Sequence, residues 1–258
     1  MELGLGLISI GRKWGHIERP IPSTEQVNDL LSTAVRLGIR YFDTAPAYGL
    51  SEERFGSFLK TIDQSQRQNV IVATKCGEHW DSATSTTYVD HSYGALCASI
   101  DQSLIRLAKI DILQIHKATP QVLADDGVGR ALDYAKSRGV SSFGVSVSDL
   151  ETAKLAVTDP VFSLLQFPFN QSYRTMEAVF ALASKAGKSI FVNRPLGMGS
   201  LMYDSDGNFK GEVALIEAYK VIVAQQFRGA VLSGASSAEH LDQNLEAFQK
   251  AKGQSKDK

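Results

Sequence analysis

Two rhythms of apolar residues alternate along the chain. Short, nearly continuous apolar runs recur at residues 4–10, 40–43, 70–75, 111–116, 141–145, 163–167, 189–193 and 229–233, with Val70-Ile71-Val72-Ala73 as an example. Strands buried on both faces read this way, and such strands belong to parallel sheets covered by helices. Between the runs, apolar positions return at helical spacing over residues 23–37, 51–60, 91–107, 121–137, 149–157, 175–186, 211–227 and 237–250. Several of these helices carry their own punctuation. Ser23 followed by Gln26 makes a capping box, and Gly38 stands just past the end of the same helix. Glu52 and Glu53 put acids in a first turn, where the helix dipole favours them. Gly139 and Gly187 fall where a helix must stop before the next strand.

Eight strands, each followed by a helix, predict an α/β fold of the (β/α)8 TIM-barrel type. The expectation is a single domain over residues 1–250 with a disordered tail at 251–258. An open doubly wound sheet is the alternative. No Gly-x-Gly-x-x-Gly follows a first strand, however, and Gly4-x-Gly6 lies inside the first run instead. A length of 258 residues suits one barrel.

The formal net charge of -1 argues against a large basic face and so against a nucleic-acid partner. No apolar run approaches the ~20 residues that span a bilayer. The first residues also lack the order of a secretory signal. Cys76 and Cys97 have neither pair nor metal spacing, so reduced thiols and a cytoplasmic location are expected.

In such a barrel the carboxyl ends of the strands form the active face. The second run ends at Asp43 with Tyr48 in the loop behind it, the third ends at Lys75, and the fourth at His116. A charged side chain at the end of a buried strand needs a partner or a task. Asp43 can hold Lys75 as an ion pair, and Lys75 can then lower the pKa of Tyr48 from its usual ~10. A tyrosine so tuned gives and takes protons near neutrality. His116 can donate a hydrogen bond to the same substrate oxygen. Singly, each has an ordinary reading as a cap, a surface charge or a structural histidine. Their succession at adjacent strand ends is what points to catalysis.

The segments "GIRYFDTAPAYGLSEERFGSFL", "VIVATKCG" and "DILQIH" resemble those that carry the catalytic residues of the aldo-keto reductases. The resemblance runs over residues 4–248. It implies Tyr48 as general acid/base, Lys75 as its pKa-lowering neighbour, Asp43 as the partner of Lys75, and His116 orienting the carbonyl. It also implies hydride transfer from a nicotinamide cofactor, NADP with NAD as the other choice, bound extended and without a Rossmann domain.

"FGVSVS" and "LLQFPFNQ" resemble the segments whose Ser146 and Gln166 would meet the carboxamide. "RPLGMGSL" resembles the stretch along the pyrophosphate, which comprises Arg194, Pro195, Leu196, Gly197, Gly199 and Leu201, with Asn193 just before it. Its glycines would let backbone amides approach an anion whatever the family. "SGASSAEHLDQNL" resembles the adenosine-phosphate segment, which makes Gly234, Ser236, His240, Gln243 and Asn244 the expected contacts.

Three features depart from the family pattern. Val147 stands where many members have Asn or Arg, and Asn193 stands where many stack an aromatic ring, a face that Arg194 can cover instead. Neither Gly234 nor His240 is a permanent cation for a 2′-phosphate. The sequence also ends soon after its last helix, so the long C-terminal loop that walls the substrate pocket in that family is not expected. Trp14, Trp80 and Tyr88, on loops after strands one and three, are candidate apolar walls. The reading is an oxidoreductase that interconverts a small aldehyde or ketone and an alcohol. The alternatives are a cofactor-binding regulatory or redox-sensing subunit with little turnover, and a barrel lyase or isomerase using the same acid/base group. Nothing in the sequence marks an oligomeric state.

Overall fold

A computed structural model of the chain describes residues 1–17 and 20–253. Ten strands are present among them: β1 (Glu2–Gly6), β2 (Tyr41–Asp43), β3 (Ile71–Cys76), β4 (Glu78–Asp81), β5 (Thr86–Val89), β6 (Ile112–Ile115), β7 (Ser142–Ser146), β8 (Leu164–Pro168), β9 (Ser189–Asn193) and β10 (Gly229–Gly234). Eight of them close a parallel barrel in the order β1-β10-β9-β8-β7-β6-β3-β2, with β2 returning to pair with β1. Helices flank this barrel between successive strands, so the fold is the expected (β/α)8 TIM barrel. The hairpin β4–β5 stands apart as a two-stranded antiparallel sheet.

Helices form where the pattern placed them and for the anticipated reasons. Ser23 and Gln26 cap Thr24–Arg36 reciprocally, and Gly38 takes the positive φ of +78° that ends it. The helix Ser51–Leu59 lays Phe55 against Phe42 of β2, with ring centres 5.1 Å apart. It also sends Glu52 beneath β3. There the Thr74 and Ser103 hydroxyls donate to Glu52 Oε1, while Arg106 pairs with Oε2 at 3.1 Å. A buried carboxylate is tolerable only when so supplied with donors. Inside the barrel a second apolar cluster, including Ala73, Ile112, Leu164, Phe191 and Leu232, fills the space below the strand ends.

Four expectations are corrected. The first run is not a single strand: β1 stops at Gly6, and Ile8–Gly11 is a helical turn. Leu7 and Ile10 are buried three residues apart while Ile8 and Ser9 are partly exposed, a helical rather than a strand period. The span 121–137 breaks into Pro120–Leu123 and Asp126–Ser137, because the Asp125 side chain caps a fresh helix at Gly127 N. Trp80 and Tyr88 sit on the hairpin strands rather than on loops. The last helix, Ala238–Ala251, continues into a capped end at Lys252, so the stretch 251–253 is ordered. The rest of the expected tail, 254–258, lies outside the described residues. Neither the short helix Gln64–Asn69 nor the hairpin was anticipated.

Candidate active site

The strand ends converge on one cavity of about 840 Å³. Asp43, Tyr48 and His116 line it, and Lys75 lies buried directly beneath. Lys75 Nζ donates to Asp43 Oδ2 at 2.6 Å and to the Thr44 carbonyl at 2.9 Å. It also sits 5.0 Å from the centre of the Tyr48 ring. His116 faces the same ring edge-on, with centroids 6.0 Å apart. All four candidate catalytic side chains are therefore brought together.

Local structure explains the placement of each. Tyr48 ends a 3-10 turn, Pro46–Tyr48, whose opening proline sets its φ. Gly11 packs so closely on this turn that a Cβ there would lie 1.9 Å from the Tyr48 carbonyl oxygen. Barrel register sets Lys75 opposite Gln114 and Ser146 opposite Gln166. Asp43 is consequently held from several strands: Gln114 Nε2 donates to its Oδ1 at 2.9 Å and Gln166 Nε2 to its Oδ2 at 3.2 Å.

Electrostatics follow from burial and neighbours. Burial lowers the Lys75 pKa, but Asp43 and then Tyr48 more than compensate, and the net shift is upward. Lys75 is thus a permanent cation. The Tyr48 hydroxyl is pushed above its ordinary value by burial, against the opposing pull of Lys75. That corrects the expectation of a net lowering. The cation acts in the anticipated direction, and desolvation outweighs it. His116 is held well below the usual imidazole range by burial and then by the cations Lys75, Lys117 and Arg12, with His91 adding to them. It is a neutral ring at physiological pH.

Several site residues escaped the sequence reading. Glu78 is buried with Oε2 3.1 Å from His116 Nδ1, off the line of a hydrogen bond, and Oε1 4.0 Å from Lys117. His91 Nε2 meets the His116 carbonyl at 2.7 Å. Gly77, at φ +103°, makes room for His91, since a Cβ there would lie 2.4 Å from the ring. Gln114 was legible in principle, standing in β6 two residues before His116, which follows the strand in the same alternation. No pattern in the chain announced Glu78.

Of the expected cofactor residues, Ser146, Gln166, Asn193, Arg194, Pro195, Leu196, Gly199, Gly234, Ser236, His240, Gln243 and Asn244 line the cavity. Gly197 and Leu201 do not; they pack on each other in the turn Gly197–Met202 behind it. Val147 and Ser148 line the wall as well. A nicotinamide dinucleotide fits this set. Gln166 Oε1 and Asn193 Oδ1 are buried without a hydrogen-bond partner, as unspent acceptors would be where a carboxamide is to be met. A Cβ on Gly199 or Gly234 would meet nothing within 4 Å, so both present open space at the cavity wall, with the Gly199 amide donating to the Leu196 carbonyl at 2.9 Å. The loop after β1 also reaches the segment after β9, where His16 N donates to the Met198 carbonyl at 2.8 Å.

A closed parallel barrel thus holds a tyrosine, a paired lysine and a neutral histidine at its carboxyl-end mouth. A family model described as "Aldo/keto reductase family" matches residues 2–214, and the chain belongs to that family. Among its relatives, YqkF of Bacillus subtilis, an oxidoreductase of uncharacterised activity, is 26% identical over 95% of this chain and 86% of its own length. The L-galactose dehydrogenase of Arabidopsis thaliana is also 26% identical, over 95% of this chain and 83% of its own. A solved structure assigned to the aldo-keto reductases, from Pseudomonas aeruginosa, superposes with a TM-score of 0.79 at 27% identity, covering 96% of this chain and 90% of its own. The chain is thus an oxidoreductase-family barrel. None of its described helices is long and apolar enough to cross a membrane.

Proposed function

We propose that the protein interconverts an aldehyde or ketone and an alcohol, with Tyr48 as the general acid/base. The observation that carries this reading is the buried Lys75 ammonium, held 2.6 Å from Asp43 and 5.0 Å from the Tyr48 ring at the floor of the cavity. Ser146, Gln166 and Asn193 would hold the nicotinamide end of a cofactor, and the segments around Gly199 and Ser236 its phosphates. A bound reduced nicotinamide supplies the hydride to the carbonyl carbon. Tyr48 then gives its phenolic proton to the carbonyl oxygen and is reprotonated from solvent. Lys75 stabilises the phenolate left behind, and Asp43 keeps Lys75 charged. His116 is neutral and so orients the oxygen with one N–H without acting as the proton source.

NADP(H) is the preferred cofactor in this reading, by a narrow margin. The segment 234–244 supplies serine hydroxyls, a helix N-terminus and His240 but no Arg or Lys, and charge-assisted hydrogen bonds are roughly twice as strong as neutral ones. Tyr48→Phe tests the catalytic assignment. With NADPH and a panel of aldehydes it should keep cofactor affinity and lose about 10²–10⁴-fold in turnover. A variant within a few-fold of wild type on the best aldehyde removes Tyr48 from the acid/base role.

A further inference from the structure

Arg12 follows the turn Ile8–Gly11 and lines the cavity. Its guanidinium carbon lies 5.3 Å from the ring centre of Trp14 and 5.3 Å from that of Trp80. These are the two tryptophans of the chain. Aromatic faces attract a guanidinium but take nothing from the N–H donors along its edge. Arg12 Nε is buried with no hydrogen-bond partner. Among the described residues no carboxylate comes within 4.0 Å of the guanidinium. Glu78, the acid whose charge it feels, turns its oxygens to His116 and Lys117 instead.

The surrounding charges lean one way. Asp43 is neutralised by Lys75, which leaves Arg12, Lys117 and Arg194 on the cavity wall against Glu78. Arg194 approaches Trp14 as well, at 5.8 Å, and belongs to the segment along the expected phosphates. Arg12 shares the Trp14 ring with it and lies within electrostatic reach of Tyr48. A half-buried guanidinium in aromatic company, with its Nε buried and unpartnered, keeps N–H donors for an anion that meets its edge. Its planar fork matches the two oxygens of a carboxylate or phosphate, and the flanking rings hold it ready.

We infer that Arg12 anchors an anionic substrate: the substrates of this site are small carbonyl compounds bearing a carboxylate or phosphate, with the anion on Arg12 and the carbonyl at Tyr48. This rests on the carbonyl-reductase reading above. Arg12 is here a specificity-determining residue.

The test compares 4-carboxybenzaldehyde with benzaldehyde, using NADPH, in wild type, Arg12→Met and Arg12→Lys. Wild type should favour the carboxylated aldehyde in kcat/KM. The ratio between the two aldehydes should fall about 10–100-fold in Arg12→Met and less in Arg12→Lys. Tryptophan fluorescence, reporting only from Trp14 and Trp80, is titrated in parallel with benzoate and with inorganic phosphate. A saturable change in wild type, absent in Arg12→Met, supports the anchor, and the tighter of the two anions names the substrate charge. If wild type turns over neither aldehyde, the reductase reading fails, and the fluorescence titrations decide on Arg12 by themselves. An unchanged ratio, or an equal loss on both aldehydes with no fluorescence response, means that Arg12 only braces the loop against the hairpin and overturns the inference.

Discussion

Lys75 and Asp43 meet at 2.6 Å with side chains 0% and 3% exposed, a fully desolvated ion pair inside the barrel. Breaking such a pair on one side leaves an uncompensated buried charge and costs about 3–5 kcal/mol. Asp43→Asn and Lys75→Met should each destabilise on that scale in urea unfolding. The double variant should lose clearly less than the sum, because the second change removes the charge that the first stranded. Strict additivity would mean that the two side chains do not sense one another.

Catalytic pH dependence follows from the direction of the Tyr48 shift. Burial holds the hydroxyl above its ordinary value, so the protonated form persists through neutrality and carbonyl reduction should be flat there. Alcohol oxidation needs the phenolate and should rise only at alkaline pH. In Lys75→Met the opposing cation is gone, and the rising limb of kcat/KM for oxidation should move further upward. If that limb stays in place, Lys75 does not act on Tyr48.

His116 makes an acid-side prediction for stability. Its folded pKa lies well below the ordinary ~6.5, chiefly through burial. Below that value the unfolded chain binds a proton that the folded one refuses, so stability falls with pH. The stabilisation is complete above the unfolded value and drains away as pH drops toward the folded one. Urea midpoints should therefore decline below about pH 6.5 in wild type and decline less steeply in His116→Asn. Parallel slopes in the two proteins would assign the loss to other groups.

Cofactor preference is read by titrating NADPH and NADH side by side. With no Arg or Lys in the segment 234–244, the ratio of dissociation constants should stay below about a hundredfold, the scale that a charge-assisted contact adds. A larger preference would mean that a cation reaches the extra phosphate, and Arg194 is the one to replace. Arg228, also a candidate on sequence, is tied to the Gly187 carbonyl and to Ser189 Oγ where β9 and β10 begin, the end of the barrel away from the site.

What was legible in the chain was whatever repeats with a period. Strands buried on both faces and capped helices gave the barrel, and strand ends gave Asp43, Lys75 and His116. Tyr48 came from its distance behind Asp43, with the family resemblance supporting it. What was missed depends on contacts between distant segments. The turn at Ile8–Gly11 looked like strand because Leu-Ile-x-Ile is β-rich locally, and only packing on Tyr48 declares it helical. Glu78 is the single buried residue of a hairpin whose strands are otherwise partly or fully exposed, so no apolar alternation marked it. The sign of the Tyr48 shift hinges on how much water is excluded, a quantity spacing does not contain.

Asp43 is gripped by side chains from β3, β6 and β8, so the residues proposed to handle the proton are tied into the barrel strands themselves. Arg12, Trp14 and Trp80 stand instead on a loop and a hairpin that close nothing. Natural variation is therefore free to redraw the mouth while the floor stays still. A lineage built on this frame can change what it accepts without relearning how it reacts.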